Sequence, residues 1–411
     1  MFLQYAIWGA WLPILYPFLL GYRGFSLSET GICLSAGAIG AIFGPFIAGQ
    51  LTDRRFATQK FLGVMLFFAG ILKWTTAYQT TFSMWLGISI IFAILYVPTI
   101  ALTNSLAMQH LSDPKSQFPK VRLWGTIAWI VVSWVFPMIW LQTNLRIQAL
   151  PPFITGDNVP DVTMRMIDSM KFAGGLSILF AFFSWFILPH TPPSSKNRKE
   201  LAFVEALGLF RKKSFLVLML IALPVSILQT LYMMNTSPFL KESGLQASYV
   251  MPAMSLGQFS EIAVLAFLGV LLTRFGFRAI MTFGIACYAI RYGIFGIPGL
   301  PVEVHVTVQL MHGLCFGCFY AGAFIYVQRI APKEIHHTAQ ILFFFVMMGL
   351  APALTGVLNG WLADLAGAPN GVLDLPSYVR FWRIAGIIGV VSAVLFWIFF
   401  KDETSDPEPA D

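Results

Sequence analysis

The sequence predicts an all-α polytopic membrane protein, with twelve transmembrane helices in two pseudo-symmetric six-helix bundles. Three observations predict it. Apolar runs reach about 20 residues, the length a helix needs to cross a bilayer. Charge is scarce: of 411 residues 57% are hydrophobic and 11% charged, with mean hydropathy +0.74, whereas soluble domains carry about 25% charged residues. One polar stretch, His190 to Lys213, divides the runs six and six. A soluble chain this apolar could not cover its own surface, and lipid admits only helices or closed barrels. Barrel strands alternate over about ten residues, so the longer runs favour helices.

The first half, residues 1–189, carries spans near 2–20, 31–52, 60–79, 83–107, 122–142 and 168–189. Span 1 lacks a basic leader and an A-x-A cleavage site, so it reads as a helix that stays, not as a signal peptide. A cytoplasmic linker, 190–213, contains ProProSerSerLysAsnArgLysGlu. The second half, 214–400, carries spans near 214–238, 248–272, 278–297, 303–328, 338–363 and 380–400. An Asp/Pro-rich tail, 401–411, has the composition of a disordered segment.

Lys and Arg collect in the loops on one side, among them Arg54, Arg55, Lys60, Lys120, Lys196, Lys199, Arg211, Lys213, Arg278, Arg329 and Lys401. The other side holds fewer: Arg23, Arg146, Arg165, Lys241 and Arg380. The basic side is cytoplasmic by the positive-inside rule, which puts both termini and the linker inside. The net charge of +7 therefore belongs to membrane insertion and points to no nucleic-acid partner. Cys33, Cys287, Cys315 and Cys318 all lie in apolar runs. The CxxC spacing of the last two puts two small residues on one helix face, for packing rather than metal or redox work.

An internal repeat marks the two halves. Gly49-Gln-Leu-Thr-Asp53-Arg54-Arg55 follows span 2, and Gly269-Val-Leu-Leu-Thr273-Arg274-Phe-Gly276-Phe-Arg278 follows span 8. Each places a glycine, which permits close helix approach, one turn before a helix end, and cations where the helix dipole favours them. The first copy resembles the major facilitator superfamily signature G-x-L-x-D-R. That resemblance implies a cytoplasmic gate worked by Asp53 and Arg54, with Arg274 as the counterpart in the second half.

A charge at membrane depth costs a few kcal/mol and usually has a partner and a function. Arg122, Thr126 and Trp129 follow i, i+4, i+7 spacing in span 5 and offer a cation, a hydroxyl and an aromatic plate on one stripe. Gln258 and Glu261 share a face of span 8, and Gln229 and Tyr232 a face of span 7. Glu261, Arg291 and His312 occupy three successive spans. A carboxylate whose charge is disfavoured by low dielectric and restored by a neighbouring cation can switch a proton, so these three are the candidate proton-coupling set. Lys73, near the outer end of span 3, is expected to reach the interface along its own stem. No P-loop GxxxxGK[ST] supplies ATP energy, no Cys/His cluster of zinc type occurs, and no nucleophile–base–orienter set suggests an enzyme.

At these residues the chain resembles the bacterial nucleoside:proton symporter family of the major facilitator superfamily, over nearly its whole length. The resemblance is carried by Phe2-Leu-Gln4-Tyr5-Ala-Ile-Trp8-Gly9-Ala-Trp11, by Tyr96-Val-Pro98-Thr99 with Asn104, and by Phe118-Pro119-Lys-Val-Arg122-Leu-Trp124-Gly125-Thr126-Ile. Gln229, Ser255-x-x-Gln258-x-Ser260-Glu261, Arg291 and Ala339-Gln340 carry it in the second half. It implies a central cavity in which Arg122, Thr126, Gln229, Gln258, Glu261 and Phe316 face a nucleoside. Trp129 stands where the family has phenylalanine, Tyr232 where it has asparagine, His312 where it has tyrosine, and Gly317 where it has aspartate. Tyr232 and His312 join the candidate substrate-binding set. Glu261 is then the clear acid of the cavity and the candidate for coupling. The expected protein is a monomeric, proton-driven importer of a nucleoside-like solute in a bacterial inner membrane, using the proton gradient and no cofactor or metal. A proton-coupled sugar or oligosaccharide symporter, which a Glu–Arg–His set also fits, and a non-transporting sensor with a carrier fold are the alternatives.

Overall fold

The computed structural model describes residues 1–26, 28–33, 36–37, 39–40, 56–112, 114–147, 154–192, 207–331, 336–368 and 372–402. Among the described residues, eight helical stretches are long and apolar enough to cross a membrane. Span 1 is helical over Phe2–Gly21, span 3 over Thr58–Thr76, span 4 over Phe82–Gln109, span 5 over Pro114–Phe136 and span 6 over Asp168–Phe186. Span 7 is Lys213–Glu242 and span 12 is Leu375–Phe399. Spans 8 and 9 run as one stretch, Val250–Phe295, interrupted at Gly276 with φ 76° and ψ 166°. A side chain resists that backbone conformation and glycine does not, so the repeat motif's Gly276 is where the chain turns back. Span 2, at 31–52, falls mostly outside the described residues, together with Asp53 and Arg54 of the expected gate.

Spans 10 and 11 are not uniform α-helices. Span 10 winds into a π-helical turn at Cys315–Ala321 and span 11 at Val346–Leu350. Such turns shift the register of the side chains beyond them and recur at functional sites. Span 5 ends in a third, Pro137–Leu141. Beyond it the segment between spans 5 and 6 forms an antiparallel hairpin of strands β1 (Gln142–Ile147) and β2 (Ile154–Asn158), its register broken between Thr143 and Arg146 beside the left-handed Asn144. Alternation of apolar residues is too weak there to announce a strand.

The hairpin and the linker lie at opposite ends of span 6, which defines two ends of the molecule. Apolar packing within the second half is one extended cluster, from Leu209 to Phe400. The first half is pinned by polar contacts as well. Gln4 donates to Thr99 Oγ1 at 2.8 Å, Thr103 donates to Gln4 Oε1 at 3.2 Å, and Tyr96 donates to the Gln4 carbonyl at 2.6 Å. Span 1 is thereby locked to span 4 by residues of the family motifs. At the hairpin end the halves touch. Ala247 and Met251 join Ile14, Leu15, Phe18 and Leu141 in one cluster, Trp134 donates to Ser255 Oγ at 2.7 Å, and the Gly156 N–H donates to the Tyr249 hydroxyl at 2.9 Å. Tyr249 returns a bond to the Gly156 carbonyl.

Candidate functional site

A cavity of about 280 Å³ lies between the halves and is lined by both. It is close to the lower end of the roughly 300–1,000 Å³ typical of small-molecule sites. Aromatic and aliphatic side chains make most of its wall, with a few polar groups set among them. Among the described residues Glu261 is the only acid that lines it.

Glu261 and His312 reach the wall because spans 8 and 10 cross at two glycines. A Cβ at Gly257 would sit 2.6 Å from the His312 Cβ, and one at Gly313 would fall onto the Glu261 backbone nitrogen and Ser260. Ser260 bonds the Leu310 carbonyl across this crossing and accepts from the Gly313 N–H at 3.2 Å. The backbone contact carries Glu261 (9% exposed) and His312 (2%) into the space between the halves while keeping them buried. Gln258, one turn before Glu261, lines the cavity too, as the shared helix face requires. Gly317, where the family has aspartate, abuts Val264: an added Cβ would lie 2.6 Å from Val264 Cγ1. The missing acid leaves no gap, because the helices close over it.

His312 is fixed by its neighbours. Its Nδ1 lies 3.3 Å from an Arg291 nitrogen, and an arginine only donates. Nδ1 therefore accepts, the ring proton sits on Nε2, and the ring is the neutral tautomer. The ring stacks on Tyr232 at 5.1 Å and on Phe316 at 6.1 Å. Arg291 does not line the cavity. It is fully buried behind the wall, with its Cζ 4.0 Å from the Tyr232 ring centre, 5.0 Å from Tyr292 and 5.2 Å from Tyr288. It donates to the Tyr292 hydroxyl at 3.0 Å.

The structure separates the sequence candidates. Thr126, Trp129, Gln229, Gln258, Glu261, His312 and Phe316 all line the one cavity. Trp129 meets Trp8 edge to face at 6.2 Å. Gln229 Oε1 accepts from Tyr288 at 2.8 Å, which orients its amide and leaves the NH₂ to the cavity. Tyr232, expected against the substrate, is 1% exposed and stands outside the lining. Its hydroxyl donates to Gln309 Oε1 at 2.7 Å, so it supports His312 from behind. Arg274 lies at the exposed end of span 8 beside Phe275. The Arg122 side chain lies outside the described residues, although its backbone belongs to span 5.

Lys73 contradicts its expected role. It does not reach toward the interface. Its side chain is 4% exposed and lines the cavity, with Nζ 3.0 Å from the Trp11 ring centre and 4.7 Å from that of Phe92. Its position near the predicted end of an apolar run suggested a short path to water. The available signal was Trp11 in the Trp8-x-x-Trp11 pattern, an aromatic face able to hold a cation within the bundle. The span 11 wall of Phe344, Met347 and Met348 was also absent from the sequence candidates, because apolar residues in a span carry no mark of facing a cavity.

A family model described as nucleoside H⁺ symporter matches residues 1–405. The chain belongs to the nucleoside H⁺ symporter family. YegT of Escherichia coli (strain K12) is 32% identical, over 99% of this chain and 93% of that protein. The xanthosine permease of the same organism is 25% identical, over 99% and 95%. A crystal structure of the nucleoside transporter NupG superposes with a TM-score of 0.80 at 22% identity, covering 98% of this chain and 97% of that one. The fold is that of the major facilitator transporters. As a nucleoside H⁺ symporter the protein imports nucleosides with protons across a membrane. The sugar-carrier and sensor alternatives give way to that membership.

Proposed function

We propose that Glu261 is the group that takes up and releases the coupled proton, at a nucleoside site formed by Thr126, Trp129, Gln229, Gln258, His312 and Phe316. The observation that carries this is Glu261 in the cavity wall, the one acid among its described residues, held there by the Gly257–Gly313 crossing. A charged carboxylate at membrane depth is costly and depends on what surrounds it, and a nucleoside hydroxyl donating to it changes that cost. Proton and nucleoside therefore influence each other through one side chain. His312 contributes differently from the expectation that it shuttles protons. With Arg291 at its Nδ1 a second proton would confront a guanidinium, so the ring serves as a fixed Nε2–H donor and stacking surface.

The halves rock about this site to alternate access. Their contacts at the hairpin end form a closed gate on that side of the cavity. By the distribution of basic residues the hairpin end faces the periplasm, and the termini and linker face the cytoplasm of a bacterial inner membrane. The protein works as a monomer, makes and breaks no bonds in its solute, uses no metal or cofactor beyond the proton gradient, and has no nucleic-acid partner.

The test is uptake by proteoliposomes under an inward proton gradient. Wild type accumulates radiolabelled nucleoside above its external concentration. E261Q, which stays neutral, retains nucleoside exchange and loses accumulation. Accumulation by E261Q at the wild-type level would move the coupling elsewhere.

A further inference from the structure

The cavity contains a charged group that proton coupling leaves unused. Lys73 is more than nine-tenths buried and its remaining exposure faces the cavity. The rings of Trp11 and Phe92 hold its charge, but a π face takes the place of only part of the hydration of an ammonium with three N–H donors. Among the described residues its Nζ makes no hydrogen bond and no ion pair. A buried ammonium with unmet donors is several kcal/mol from its best state, and the open direction is the cavity. Among the described residues the first-half wall offers it no anion: Leu12, Cys33, Gly37 and Ala93 are apolar or weakly polar lining residues there, and Ser89 brings a hydroxyl.

The two walls therefore differ in what they ask of a ligand. The second-half wall carries Glu261, Gln229 and Gln258, which suit the hydroxyls of a ribose. The first-half wall carries aromatic rings, the hydroxyls of Ser89 and Thr126, and Lys73, which as an ammonium only donates. A base lying against those rings would meet Lys73 with its edge. A carbonyl oxygen on that edge would accept from the ammonium, whereas an amino group would oppose donor to donor and leave both unmet, a mismatch that sites built on hydrogen bonds reject strongly.

We propose that Lys73 is a substrate-binding residue that reads carbonyl oxygens of the nucleobase and selects oxo-bases over amino-bases. This deepens the proposed function and rests on it. Inosine and adenosine are the probes, since they differ on this edge alone: oxo against amino at C6, with N–H against a lone pair at N1. Equilibrium binding to the purified full-length protein in detergent should show inosine bound at least about tenfold tighter than adenosine. K73M, similar in length and without donors, should bring the ratio close to one, chiefly by weakening inosine, while K73R should keep the preference. Monodispersity and helical circular dichroism report whether each variant is folded. If K73M is not recovered folded, the wild-type ratio and K73R decide. Equal affinity of the wild type for both nucleosides, or a preference that survives in K73M, overturns the inference. A wild type that accumulates nucleosides without preferring inosine removes only this proposal, whereas one that binds no nucleoside removes the proposed function with it.

Discussion

Among the described residues each half buries one cation about four turns into its third helix, and the two are treated in opposite ways. Arg291 in span 9 is sealed behind the cavity wall, ringed by Tyr232, Tyr288 and Tyr292, bonded to Tyr292 and facing His312. Of its nitrogens, Nε is left without a hydrogen bond. Lys73 in span 3 meets two rings and then the cavity. The arginine spends its planar donors on the protein and so fixes the shape of the second-half wall. The lysine keeps its donors for whatever enters. An approximate repeat has thus yielded one cation that builds the site and one that is open to the ligand.

The second-half wall breaks most completely at the helix crossing. Gly313→Val places branched carbons where the Glu261 backbone and Ser260 already sit. Overpacking into well-packed structure typically costs about 1–3 kcal/mol, and backbone here cannot give way as a side chain can. Loss of folded protein is expected, read as absence of a monodisperse peak after detergent extraction. Recovery of a stable G313V protein with normal nucleoside binding would show that the two spans need not touch for Glu261 and His312 to be positioned.

The cation comparison itself is sharpened by stability measurements. Arg291→Met removes a buried cation–π set worth about 2 kcal/mol when desolvated and leaves His312 Nδ1 and its stacked ring without their partner. A loss of about 2–4 kcal/mol is expected, seen as a lower midpoint in thermal unfolding. Lys73→Met should be nearly neutral or stabilising, because it replaces a buried charge with unmet donors by an apolar chain. Equal destabilisation by the two would erase the distinction between a cation that builds and a cation that binds.

How far these roles can be read from sequence alone follows the same division. Apolar runs and basic loops announced the helices because lipid imposes both. Glu261, Gln258 and Gln229 were legible because polar groups on one face of an apolar helix are costly without a purpose. Lys73 was misread: its neighbours in sequence suggested an end of a helix, and only packing against Trp11 and Phe92 of spans 1 and 4 shows that it turns inward. Tyr232 was misplaced for the converse reason. Helical spacing put it on the Gln229 face, and the tertiary bond to Gln309 drew it behind the wall. The β1–β2 hairpin carried too little alternation to be seen, and its contact with Tyr249 joins segments 93 residues apart.

The smallest effect tests the contact between the halves. Trp134 Nε1 donates to Ser255 Oγ, three residues before Gln258, so the closed end of the molecule is tied directly to the helix that presents Glu261. Trp134→Phe keeps an aromatic ring and deletes that one bond, worth about 1 kcal/mol. Breaking it should raise the population open at the hairpin end by about fivefold, and leave the walls around Lys73 and Arg291 as they are. Labelling of a cysteine introduced near Tyr249 should speed up accordingly, while the ratio of inosine to adenosine binding stays at the wild-type value. A changed ratio would mean that the selectivity assigned to Lys73 depends on which way the carrier faces, so that the two cations are coupled through the movement of the halves rather than separated by the wall.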